Sequence, residues 1–175
     1  MLLVKIYREV IEDGYIIGFI VGETEEYYII SLVSEDIYLN GWLIISKLHV
    51  SNIEYEFDSK KFIEKALSIR KEKPHEILVS VDTKSLKCIL DSIKNSFGLV
   101  SLSREIIYPD EVMIGSIQSV DSQKVNILCM DTNANYELIS EKILLADITT
   151  ICVGSGYLDA LISVNQSIVN TPENE

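Results

Sequence analysis

The chain has little of the chemistry that marks familiar active sites. It contains two histidines and three cysteines, and no two cysteines form a Cys-x-x-Cys pair. This spacing argues against a disulfide framework or a zinc knuckle and indicates a reduced, cytoplasmic protein. No Gly-rich phosphate loop, HExxH or GxSxG motif occurs. We therefore predict a protein that is not an enzyme, with no catalytic residue, no cofactor and no metal ion.

Long apolar runs and basic residues are also scarce. No run approaches the roughly 18 apolar residues of a membrane span, and the amino-terminal sequence lacks the order of a secretory signal. Lys and Arg number 15 against 27 Asp and Glu, which gives a formal net charge of -12. Such a chain repels polyanions, so the composition argues against nucleic acid and membranes and favours a basic protein as partner.

The strongest positive signal is an internal repeat. Residues 3–20 and 99–117 align with one extra residue near Pro109. The identical pairs include Leu3/Leu99, Val4/Val100, Arg8/Arg104, Glu9/Glu105, Gly18/Gly115 and Ile20/Ile117. A shared apolar phase indicates a shared fold, because burial decides which face of each element points inward.

Each copy reads as short strands followed by a helix. Short runs rich in Ile and Val, separated by turn residues, predict five strands per copy. Apolar residues at helical spacing predict a closing helix over 59–72 and another over 157–165. Between the copies, the pattern predicts a strand over 77–81 and an amphipathic helix over 84–96. The predicted divisions are 1–72 (first unit), 73–98 (connector), 99–168 (second unit) and 169–175 (flexible tail).

Five bent strands with a glycine inside the second one, Gly18 and Gly115, resemble the Sm-like or SH3-like small barrels. The resemblance implies an α+β, mostly β fold. It would comprise two tandem five-stranded barrels, each with a closing helix, joined by a helical connector. Asp131 and Asn135 have the Asp-x-x-x-Asn spacing of the RNA-binding loop of Sm proteins. If that similarity extends to function, Asn135 would contact a base and the chain would be an Sm-like RNA-binding adaptor.

The acidic turns are the main candidates for contact with a partner, and they contain Glu23, Glu25, Glu26, Glu35 and Asp36. They either bind a basic protein or form the solvated rim of a soluble protein. The first reading predicts a non-catalytic protein whose paired acidic barrels hold a macromolecular partner, for instance an immunity-type inhibitor of a cationic toxin. Exposed strand edges also make a homodimer one way to complete the sheet.

The recurring Arg-Glu dipeptides at residues 8–9 and 104–105 have two readings. They contact a partner in both copies, or they form ion pairs to another strand or between the barrels. The second reading is favoured because ion-pair networks are common without a function.

Histidine and cysteine complete the candidates. Neither His49 nor His75 lies near a serine or cysteine nucleophile in the sequence, which argues against a catalytic role for either. Cys129 lies in an apolar strand and is predicted to belong to the core.

Overall fold

A computed structural model of the chain describes residues 1–74 and 84–170. The strand predicted over 77–81 and the candidate histidine His75 lie outside the described residues. Within the described ranges the fold is mostly β, as the sequence predicts.

Ten strands and three helices form the described structure. The strands of the first half are β1 (Leu2–Tyr7), β2 (Tyr15–Glu23), β3 (Tyr27–Val33), β4 (Leu39–Ser46) and β5 (Asn52–Glu54). Those of the second half are β6 (Val100–Ser103), β7 (Val112–Val120), β8 (Lys124–Met130), β9 (Tyr136–Leu144) and β10 (Thr150–Val153). The helices are α1 (Lys60–Ile69), α2 (Leu86–Ser96) and α3 (Gly156–Asn170), and 3-10 turns lie at Lys47–His49 and Leu145–Asp147. Of the predicted tail 169–175, the first two residues continue α3 and the others lie outside the described residues.

All ten strands join in one antiparallel sheet. Its order is β5-β1-β2-β3-β4-β10-β6-β7-β8-β9, so β5 and β9 are its two edges. The predicted pair of closed five-stranded barrels joined by a helical connector is therefore wrong. The fourth strand of the first half does not return to its own fifth strand, because it pairs with β10 of the second half.

The pairing of β4 with β10 is apolar. Ile44 and Ile151 lie opposite each other and are fully buried, and Trp42 lies opposite Val153. Four successive apolar residues, from Trp42 to Ile45, give β4 two faces that both need cover. Joining the halves along this seam satisfies the backbone groups of both strand edges, and two apolar clusters, one with Ile44 and one with Ile45, cover the two faces.

The helices cover the sheet with their apolar faces. On α1, Ile63 and Leu67 pack with Leu3, Phe19 and Val33 of the first half. Leu158 and Leu161 of α3 pack with Leu99, Met130 and Ala134 of the second half.

Helix α2 is part of the main core and is not a spacer between two barrels. Its residues Leu86, Ile89, Leu90 and Ile93 are buried in the largest apolar cluster. That cluster combines strands of the second half with Ile29 and Ile44 of the first half, so α2 covers the sheet on both sides of the seam.

Glycine permits close packing inside β2 and β7, as the sequence suggests. A Cβ on Gly18 would lie 2.3 Å from Cγ2 of Ile30, and one on Gly115 would lie 2.4 Å from the carbonyl oxygen of Leu128. Both distances are shorter than a side chain tolerates, so each glycine lets the next strand approach closely.

Candidate binding site at the junction of the two halves

A cavity of about 910 Å³ lies where the two halves meet. Five segments line it: the turn between β2 and β3, the 3-10 turn after β4, the start of α2, the turn between β7 and β8, and the 3-10 turn after β9. The lining residues are Glu25, Glu26, Tyr27, Ser46, Lys47, Leu48, His49, Ser85, Leu86, Lys87, Ser122, Leu145, Ala146 and Ile148. Both halves therefore contribute residues to the cavity.

The turn that carries Glu25 and Glu26 is held by Thr24. Its hydroxyl oxygen accepts hydrogen bonds from the backbone N–H groups of Tyr27 (2.8 Å) and Glu26 (3.2 Å). The carbonyl oxygen of Glu26 accepts a hydrogen bond from the N–H of Lys47 at 2.8 Å. This bond ties the acidic turn to the adjacent 3-10 turn, which also lines the cavity.

The lysines of the cavity already have acidic partners. Lys47 Nζ lies 2.7 Å from a carboxylate oxygen of Glu23 and 4.5 Å from the centre of the Tyr28 ring. Lys87 forms an ion pair with Asp91 one turn further along α2. Glu25 and Glu26 form no ion pair within the described residues, so the charge left unbalanced at the cavity is negative.

A buried ion pair behind the cavity links the halves. Arg8 is 2% exposed, and its Nη1 donates a hydrogen bond to Glu105 Oε1 at 3.1 Å while Nη2 donates to Oε2. Thr149 also donates a hydrogen bond from its hydroxyl to Glu105. The recurring Arg-Glu dipeptides were predicted either to contact a partner or to form ion pairs. At Arg8 the structure has an ion pair, and it joins the first copy to Glu105 of the second.

The repeated arginine behaves differently. Arg104 pairs with Glu111 and lies 4.4 Å above the centre of the Tyr108 ring. The two arginines thus occupy matching places in the sequence but bind different carboxylates.

His49 lines the cavity and lies near the buried ion pair. Burial lowers its pKa below the usual value for histidine, and the Arg8 guanidinium lowers that pKa further. The Glu105 carboxylate raises the pKa and offsets part of this shift. The neutral imidazole is therefore favoured in the folded protein.

We expect His49 to reduce stability in acid. The pKa of His49 is lower in the folded than in the unfolded state. Its contribution to the free energy of unfolding is therefore constant above the unfolded pKa of about 6.5 and is lost as the pH falls below that value. The His49→Gln variant lacks this proton uptake. Urea denaturation measures the free energy of unfolding of both proteins. Between about pH 7.5 and pH 5 this free energy should fall more for wild type than for His49→Gln. A difference that stays constant with pH would contradict the expectation.

The predicted acidic patch divides into two places. Glu25 and Glu26 line the cavity and Glu23 holds Lys47 beside it. Glu35 and Asp36 lie in the turn between β3 and β4, at the other end of β3. The predicted partner contact for all five residues stays a prediction, and a single small contact cannot include both groups.

Asp131 and Asn135 form a tight turn between β8 and β9. Oδ1 of Asp131 accepts hydrogen bonds from the backbone N–H groups of Asn133 (2.8 Å) and Asn135 (2.9 Å). These bonds lower the pKa of the Asp131 carboxyl. The Asp-x-x-x-Asn spacing thus has a structural role, while base contact by Asn135 stays a prediction.

Three residues that the sequence did not bring together meet on β8 and β9. A ligand atom from each of Cys129, Glu137 and Glu141 lies within 4.8 Å of the other two. Sequence spacing gave no signal of this, because a shift in the register of β8 and β9 places Glu137 there. The apolar sequence around Cys129 predicted a core position, and this is confirmed, because Cys129 is buried in the main apolar cluster.

Comparison of the chain with family models, with curated proteins and with solved structures finds no match. Among residues 1–74 and 84–170, no helix combines the length and the apolar character that crossing a membrane requires.

Proposed function

We propose that this chain is a non-catalytic binding protein that holds a basic, partly apolar segment of another protein in the cavity at the junction. The observation that carries the proposal is the pair of unbalanced carboxylates, Glu25 and Glu26, at a cavity of about 910 Å³. An inhibitor that masks a cationic protein, as immunity proteins do, is one concrete form of this function.

The charge at the cavity supports a basic partner. Because Lys47 and Lys87 are engaged by Glu23 and Asp91, they do not neutralise Glu25 and Glu26. The net charge of -12 adds a long-range attraction for cations. Such complementarity raises the rate of association and selects partners, and added salt weakens it.

Apolar residues in the same cavity support a partner with apolar side chains next to its basic ones. Leu48 is 84% exposed, although it is a large aliphatic side chain. Tyr27, Leu86 and Ile148 line the cavity and belong to the main core. A partner side chain that contacts Leu48 would bury apolar surface and supply affinity that charge alone does not give.

Binding to a peptide library tests the proposal, with peptides that combine lysine or arginine with leucine as the probe. We expect wild type to bind a subset of them more weakly as salt is added. The double variant Glu25→Gln/Glu26→Gln should lose about tenfold in affinity or more, since it removes the charges at the cavity. The matched control is Glu35→Gln/Asp36→Asn, which removes two charges from the other end of β3 and should change affinity by less than about threefold.

Two results would contradict the proposal. One is that no basic peptide binds at low salt. The other is an equal loss of affinity in the two double variants, which would show that net charge acts without a site.

A further inference from the structure

We propose that Cys129, Glu137 and Glu141 form a binding site for a divalent transition-metal ion of the zinc class. The site lies between β8 and β9. None of its residues lines the cavity at the junction, so the inference does not depend on the proposed function.

The donor set suits this class of ion. One thiolate and two carboxylates are three of the ligand types that Zn²⁺ accepts, and three protein ligands leave a fourth position for water. Thiolate selects against Mg²⁺ and Ca²⁺, which prefer oxygen alone. The three ligand atoms lie within 4.8 Å of one another, so an ion equidistant from them in their plane would lie at most about 2.8 Å from each. Shifts of about 0.5 Å for the sulfur and about 0.6–0.8 Å for the oxygens bring the ligands to bonding distance.

The thiol is buried without a partner and faces the carboxylates. Cys129 is 7% exposed and makes no hydrogen bond within the described residues. Glu137 and Glu141 are exposed, so their side chains can adjust to an ion while the strand holds the sulfur in place. Neither glutamate forms an ion pair with a lysine or arginine in the part of the chain that the structure describes. A cation would therefore add a partner for a buried thiol that packs against apolar side chains and for two carboxylates that otherwise face solvent.

The first half of the sheet offers an internal comparison. Leu32 lies opposite Gly18 as Cys129 lies opposite Gly115, and Leu43 lies opposite Ile30 as Glu141 lies opposite Ile127. Two leucines thus stand where the second half has a thiol and a carboxylate. Leucine occupies both positions in the first half, so the pairing of the strands does not itself require a cysteine or a glutamate there.

The register of β9 supplies the third ligand. In the first half, β4 has a bulge between Leu39 and Trp42, opposite β3. In the second half, β9 has the matching bulge between Tyr136 and Ser140, and this bulge is one residue longer. This longer bulge brings Glu137 to the same place as Glu141. Bulges often redirect a side chain next to a functional site.

Metal binding must remove the thiol proton. Burial raises the pKa of Cys129 to about 11, and the carboxylates of Glu141, Glu137 and Glu111 add to the rise. At neutral pH the S–H bond therefore breaks as the metal–sulfur bond forms, and the proton passes to the buffer. Affinity for the ion should consequently rise with pH.

The test uses the full chain after metal removal by a chelator. Competition with a chromophoric chelator should show one Zn²⁺ bound per chain and release of about one proton per ion at pH 7. Co²⁺ should bind at the same site and give a thiolate-to-cobalt charge-transfer band in the near ultraviolet. Mg²⁺ in large excess should not displace either ion.

Variants separate this site from other thiols and carboxylates. Cys129→Ser should abolish the charge-transfer band, and Glu141→Leu, which installs the residue of the first half, should weaken Zn²⁺ binding by about tenfold or more. Glu137→Gln should have a similar effect. Cys88→Ser is the matched control and should leave binding unchanged.

Circular dichroism of the metal-free variants checks that each remains folded. The absence of stoichiometric Zn²⁺ binding by folded wild type would overturn the inference. A Co²⁺ complex without the charge-transfer band would overturn it as well, as would retention of the band in Cys129→Ser.

Discussion

Replacing Arg8 with methionine should lower the free energy of unfolding by about 3 kcal/mol, because it leaves the Glu105 carboxylate without its counter-ion. Arg8 is 2% exposed and binds both carboxylate oxygens of Glu105. Breaking one side of a buried pair costs about 3–5 kcal/mol, and the lower end applies because the Glu105 side chain retains 18% exposure. Urea denaturation followed by circular dichroism measures the change.

Arg104→Met is the matched control for that substitution. Arg104 stands in the same Arg-Glu sequence, but its partner Glu111 is 44% exposed in its side chain. An exposed ion pair and a contact with one aromatic ring together contribute about 1 kcal/mol. If Arg104→Met lost as much free energy of unfolding as Arg8→Met, the ion pair between the halves would not stabilise the protein more than an ion pair within one half.

A double variant separates the buried charge from the lost contact. Arg8→Met combined with Glu105→Gln removes both charges and should recover part of the stability lost in Arg8→Met. No recovery would mean that Arg8 stabilises the protein mainly through the packing of its aliphatic stem.

Local patterns predicted the elements better than their pairing. The spacing of Leu86, Ile89, Leu90 and Ile93 predicted the helix that the structure has as α2. The prediction of closed barrels was wrong because closure depends on which strand edges pair, and these edges are far apart in the sequence. The sequence of β4 does not say whether it pairs with β5 of its own half or with β10 of the other, since both strands offer backbone groups.

The candidate sites show the same limit. Glu25 and Glu26 were predicted as contact residues from their acidic turn, and they line the cavity. The sequence grouped Glu35 with them, although the length of β3 separates the two turns. Cys129 and Glu137 could not be paired from the sequence, because their proximity depends on the number of residues in a bulge.

Replacing Gly41 with alanine should lower the free energy of unfolding by about 2–5 kcal/mol, because Gly41 on β4 lies against the backbone at the end of β10. Its φ is +74°, a conformation that costs other residues about 1–2 kcal/mol. A Cβ there would lie 2.3 Å from the carbonyl oxygen of Val153 and 2.6 Å from the carbonyl carbon of Gly154. Backbone atoms must move to make room, and such overpacking lowers the free energy of unfolding by about a further 1–3 kcal/mol.

Gly14→Ala is the control, because a Cβ on Gly14 would have no atom within 4 Å and should change stability by less than about 1 kcal/mol. Hydrogen exchange then locates the damage from Gly41→Ala. If β4 and β10 hold the halves together, amides of residues 42–45 and 150–153 should exchange faster, while those of β7 and β8 change less. Equal acceleration throughout the sheet would mean that the halves unfold only as one unit. In that case the seam between β4 and β10 would be as stable as the sheet within each half.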